Sequence, residues 1–166
     1  MKFHQLFIAS LYEPKKLAAF RLLPIGKVFK YVFMFIFLFT IISFGRFYLN
    51  DELLVEQNPD LIEHGKKIGL LIYPMALLLQ LVISTFYVFI RITIFAYIGS
   101  LFLNLRKKRS NYLQIWRTSA FAMTVPMLLT IGFDFFPKLA ANGFLLTSII
   151  HLLYILVAIK YYPKQR

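Results

Sequence analysis

Five polar residues interrupt stretches that are otherwise apolar: Gln80, Ser84, Arg91, Asp134 and His151. Arg91 is the most expensive, sitting in FYVFIRITIF. An arginine at the centre of a membrane span costs ~2.5–3.5 kcal/mol on insertion scales and turns toward protein or water. Two roles suit it: a structural arginine bonded to helix ends or to a lipid phosphate, or a ligand or substrate site. Gln80, Ser84 and Arg91 follow at intervals of four and seven, so they share one helix stripe, the face expected to turn inward. Alternatively Ser84 bonds its own backbone. His151, just after Thr147 and Ser148, either bonds a neighbouring helix or relays protons. Asp134, soon followed by Pro137 and Lys138, reads as a carboxylate at a loop edge.

Other chemistries lack their residues. There is no cysteine, hence no disulfide, thiolate site or thiol nucleophile. Phosphate-binding glycine loops, zinc-binding helix pairs and paired catalytic carboxylates are all missing from the sequence. Gly65 and Gly69 have GxxxG spacing but enclose two lysines at a membrane edge, a weak dimerisation signal. The acids of residues 50–67 lack the spacing of a calcium loop and read as solvated. No catalytic residue, metal or cofactor is expected.

The elements that position these residues are membrane helices. Of 166 residues, 60% are hydrophobic and 16% charged, against about 45–50% and about 25% in soluble domains. Apolar runs such as YVFMFIFLFTIISF do not alternate as barrel strands would. The expected fold is an all-α integral membrane protein with spans at about 28–49, 73–103, 112–136 and 139–159. An amphipathic interfacial segment, 1–27, precedes this membrane domain of 28–166. In that segment Ser10 and Glu13 have capping-box spacing and Pro14 suits a first turn, which predicts a second short helix over 13–22. Leu17, Ala18 and Leu22 would face lipid, and Lys15, Lys16 and Arg21 headgroups. The run at 28 reads as a retained span, since no convincing cleavage site follows it. Residues 50–67 are expected to be a short polar loop.

The apolar run 68–103 is too long for one span, and Pro74 is the expected break. Charge supports a single crossing. With one span there, segments 1–30, 106–117 and the tail from 160 lie on one side with 14 basic residues and one acid, Glu13. Lys and Arg near span ends mark the cytoplasmic side, so both termini are expected there. The net charge of +12 therefore reflects orientation and attraction to anionic lipid headgroups, not nucleic-acid binding. Trp116 is expected to be an interface anchor, and Pro126 sits in the middle of its span.

Two stretches, FIASLYEPKKLAAFRLLPIGKVFKYVF and YLQIWRTSAFAMTVPMLL, resemble the DUF1189 family of bacterial membrane proteins, which is similar to the Yip1-like multipass proteins. The likeness is carried by Pro14, Arg21, Gly26 and Lys27 in the first and by Trp116, Arg117, Ala120, Thr124 and Pro126 in the second. The family usually has a longer extracytoplasmic segment between its first two spans. The resemblance implies a bacterial cell-membrane location and, for some members, accessory roles in maltodextrin use.

The function expected is a non-catalytic accessory or scaffold protein that binds partner membrane proteins, lipids or copies of itself. The alternative is a small oligomeric transporter or channel component with Arg91, Gln80 and His151 along a pathway. An intramembrane enzyme ranks third, because the polar candidates are isolated.

Overall fold

The computed structural model describes residues 3–56 and 60–164, without the side chains of 50–72, 134 and 137–141. Every regular element among them is helical: α1 (Phe3–Tyr12), α2 (Pro14–Ala19), a 3-10 turn (Phe20–Leu22), α3 (Ile25–Glu56), α4 (Asp60–Leu105), α5 (Tyr112–Ala122), α6 (Thr124–Asp134) and α7 (Pro137–Lys160). Three segments are long and apolar enough to cross a membrane: Ile25–Leu49, Tyr73–Leu105 and Asn142–Lys160.

The expected third span corresponds to α5 and α6 in series. Pro126 has no N–H to give to Ala122, and the helix breaks at Met123. The bonds around the break persist, from Met123 N–H to Ser119 O (3.0 Å) and from Met127 N–H to Met123 O (2.9 Å). Two flanking threonines donate to backbone, Thr124 to Phe121 O and Thr130 to Pro126 O. Each half has 11 residues, too short to span alone.

Pro74 does not break its helix. It lies inside α4, which starts at Asp60 and runs for 46 residues. A proline removes one backbone bond and only biases its predecessor, and the leucine-rich sequence that follows it, MALLLQL, favours helix. Likewise the expected loop is helical up to Glu56 and again from Asp60.

The N-terminal segment also differs in detail. Pro14 opens α2 as expected, but its N-cap Glu13 makes no side-chain cap bond. Ser10 lies within α1 and donates to Leu6 O at 2.8 Å, the back-bonding open to any helical serine. Leu17 and Ala18, expected to face lipid, are buried in protein, while Leu22 is exposed. The reason is tertiary: α2 packs on α7 and α5, and α1 on α6.

The chain forms two compact units, one of residues 1–32 and 89–166, the other of 33–88. The first has a core of Leu17, Phe20, Val28, Tyr31, Ile92, Ile115, Phe121, Ile155 and Ile159. Gly99 admits close packing there. A Cβ on it would lie 2.9 Å from Ile155 Cγ2 and 3.1 Å from Ile115 Cγ1, inside the ~3.5–4.0 Å of optimal carbon contact. In the second unit ring pairs join α3 to α4: Phe39 with Tyr87 (6.5 Å) and Tyr48 with Tyr73 (5.2 Å).

Candidate functional site

The first unit gathers polar side chains at two places. One lies within the helices. Arg91 is 4% exposed on α4, and its Nη2 donates to Thr147 Oγ1 on α7 at 2.9 Å. Thr147 passes its own proton to Gly143 O at 2.8 Å. The guanidinium lies 5.9 Å from the Phe95 ring and 5.7 Å from Phe144, within cation–π range. On α7, one turn further, fully buried His151 stacks on Phe95 with centroids 4.5 Å apart.

The network fixes the His151 tautomer. Its Nε2 is 3.1 Å from Ser119 O, which can only accept, so Nε2 carries the proton. Ser119 in turn donates to Ile92 O at 3.0 Å. Three helices are tied together in this way: α4 and α7 by Arg91 and Thr147, α5 and α7 by His151, and α5 and α4 by Ser119. Nδ1 of His151 is left as a buried acceptor without a donor among the described residues.

The second place is the end of the same unit where α3 and α5 begin and α4 and α7 finish. Arg21, in the 3-10 turn, lies over the Tyr162 ring at 4.6 Å. Arg117 Nη1 on α5 donates to Arg21 O at 3.1 Å. The Tyr162 hydroxyl is 2.6 Å from Thr118 Oγ1. Burial pushes that hydroxyl up to about 12, against the opposing pull of Thr118 and of the Arg21 charge, so Tyr162 stays neutral and offers Arg21 a π face rather than an anion. Lys108 Nζ donates to Lys160 O (3.0 Å) and Tyr162 O (2.7 Å), capping the carbonyl end of α7 where a cation is favoured.

Lys108 reaches α7 because of the turn before it. Lys107 has φ 48, the left-handed region. Lys108 N–H bonds Leu103 O (2.9 Å) and Lys107 N–H bonds Asn104 O (3.1 Å), a Schellman motif with lysine at the position glycine usually takes. Arg109 N–H then meets Pro163 O at 2.8 Å. The sequence reading missed this capping role of Lys108. It placed the start of α5 at 112 but missed the capping box there, where Gln114 Oε1 takes the Asn111 N–H at 3.4 Å; the Asn-x-x-Gln spacing was the available signal.

The remaining expected residues are dispersed. On α4, Ser84 is buried and Gln80 half-buried, both in the second unit. Asp134 ends α6, its side chain outside those described. Pro14 lines an apolar groove with Leu11, Tyr12, Leu153, Tyr154 and Val157. Gly26 and Lys27 are exposed in the first turn of α3, and Pro126 is buried. Trp116, expected as an interface anchor, packs against protein. It is 9% exposed, stacked with Phe89 and donating to Thr93 Oγ1 at 3.3 Å.

No curated protein and no solved structure matches the chain. Residues 45–159 match the model of a family described as a protein of unknown function, DUF1189. The second quoted stretch lies within that match and the first lies before it. The match covers well over half of the sequence, and the chain belongs to the DUF1189 family.

Proposed function

We propose that this chain is a non-catalytic multipass protein of the bacterial cell membrane that holds partner membrane proteins and anionic lipid. In this reading the spans are α3, α4, the kinked pair α5–α6, and α7. Both termini are cytoplasmic, and the N-terminal helices lie at that interface. One observation carries it: buried polar side chains tie helix to helix, as Arg91 ties to Thr147 and His151 to Ser119. Hydrogen bonds across helices hold membrane bundles together. The outer face of α4 offers Phe86, Ile90, Ile94, Tyr97 and Leu101 to lipid or to another protein, a surface stable only in an apolar medium.

Crosslinking in native membranes followed by purification tests this. A stoichiometric partner membrane protein, or a homo-oligomer, is the expected product. The sugar-uptake context implied by the sequence resemblance gives a first set of partners to look for. Turnover of a lipid by the purified protein in liposomes would overturn the reading.

A second reading, a subunit of a small transporter, is favoured by the burial of Arg91 and His151 against one ring, Phe95. Arg91→Leu separates the two. Loss of solute flux with normal insertion supports transport, whereas retained partner capture supports the accessory role.

A further inference from the structure

The cationic end of the first unit is short of acceptors. Nε and Nη1 of Arg21 and Nε of Arg117 are buried and have no hydrogen-bond partner among the described residues. Buried polar atoms nearly always have partners, and a group left unsatisfied points to something that completes it. For a guanidinium the deficit is large, because its charge as well as its N–H groups must be compensated.

Among the described residues no acid fills the deficit. The sequence has seven, of which six fall in 51–63 or at 134. The seventh, Glu13, holds Lys16 at 2.8 Å. Tyr162 is neutral; Arg21 lies over its π face and Arg117 donates to a carbonyl. Around them the charge is of one sign: Lys108 caps α7, and Arg106, Lys107, Arg109, Lys160 and Lys164 stand at the same helix ends. Arg21 and Arg117 are half-buried, so each guanidinium is anchored in protein with part of it open.

We propose that Arg21, held over the Tyr162 ring, and Arg117, bonded to Arg21 O, bind the phosphate of an anionic phospholipid headgroup. A phosphate suits the site because its oxygens take several N–H bonds from planar guanidinium groups at once. A lipid suits it because Arg21 lies just before an apolar span that begins at Ile25, and Tyr162 just after one that ends at Lys160. The site is held from three directions: the 3-10 turn, α5 and the chain after α7. This distinguishes it from the diffuse attraction of exposed lysines to a membrane surface. The inference rests on the membrane reading above but not on the accessory role.

The test uses the purified full-length chain in detergent micelles, stripped of lipid and then titrated with phosphatidylglycerol, phosphatidylcholine or inorganic phosphate. Bound lipid is counted by native mass spectrometry and thermal stability is followed in parallel. One phosphatidylglycerol per chain is expected to stay bound, with weaker retention at high salt. Arg117→Gln should weaken it by about tenfold or more, as loss of a charge-assisted hydrogen bond does. Arg117→Lys keeps the charge without the planar fork and guards against misfolding of the glutamine variant; it should fall between. Lys15→Gln, on an exposed part of α2, should leave retention unchanged. Equal retention of phosphatidylcholine, or equal loss with Lys15→Gln, overturns the site. Stabilisation by inorganic phosphate without retention of phosphatidylglycerol overturns the lipid assignment. Partner capture that survives Arg117→Gln while lipid is lost separates this site from the accessory role.

Discussion

The Tyr162–Thr118 contact gives a prediction whose order of effects is fixed by hydrogen-bond direction. Thr118 Oγ1 lies 3.3 Å from Gln114 O, which can only accept. Either oxygen could donate in the 2.6 Å contact, and giving the Thr118 proton to Gln114 O assigns the Tyr162 hydroxyl as its donor. Tyr162 is 2% exposed and Thr118 fully buried, so water cannot replace either partner. Tyr162→Phe removes the donor and leaves only a spare lone pair, a loss of about 0.5–1.5 kcal/mol. Thr118→Val preserves the shape but strands the hydroxyl proton, a loss of about 1–3 kcal/mol. The double variant has nothing stranded and should be more stable than Thr118→Val alone, with a coupling of roughly 0.6–1.7 kcal/mol. Phenylalanine keeps the ring beneath Arg21, so the cation–π contact at 4.6 Å is constant through the series.

The assay is reversible unfolding in detergent micelles, followed by circular dichroism and by fluorescence of Trp116, the chain's single tryptophan. An alkaline arm uses the same residue. The folded state holds the Tyr162 proton up to about 12, whereas the unfolded chain releases it near ~10. Between those values the folded state binds more protons, so stability must fall as pH rises. The contribution is complete below pH ~10 and is lost by ~12, roughly 2–3 kcal/mol in all. Tyr162→Phe should flatten that part of the profile. A Thr118→Val variant no weaker than Tyr162→Phe, or a double variant carrying the sum of both losses, would refute the assigned donor direction.

Three further substitutions probe other parts of the first unit. Gly99→Val places carbon within 2.9–3.1 Å of two isoleucines, whose branched side chains yield poorly; a loss of about 1–3 kcal/mol or more in the same unfolding assay is expected, and Ile155→Ala in the same chain should recover part of it. Lys107→Gly relieves a left-handed residue at φ 48 and should stabilise by up to ~1 kcal/mol in the same unfolding assay. His151→Gln can still place a donor near Ser119 O, whereas His151→Asn is too short. Glutamine should therefore be the better tolerated by about 1 kcal/mol, and equal melting temperatures for the two would contradict the Nε2-protonated tautomer.

How far the sequence revealed this arrangement depends on the range of the forces involved. Of the stripe expected to turn inward on α4, Ser84 and Arg91 are buried and Gln80 is half-buried. The apolar helices were legible because length and hydropathy are local properties. What the sequence hid was decided by neighbours distant along the chain. Leu17 and Ala18 look like a lipid-facing stripe, and only the packing of α2 on α7 makes them core. Trp116 has the position of an interface anchor, but Phe29 and Phe89 enclose it. Charge shows the limit most clearly. Counting basic residues predicts that Arg21, Lys108 and Arg117 share a side, and a count treats them alike. Their roles differ because a left-handed turn at Lys107 carries Lys108 to the carbonyls after α7, while Tyr162 draws Arg21 beneath the surface. Orientation in a membrane needs only exposed charge. Two half-buried arginines with no carboxylate beside them among the described residues go beyond that need, and the proposed phosphate site rests on that excess.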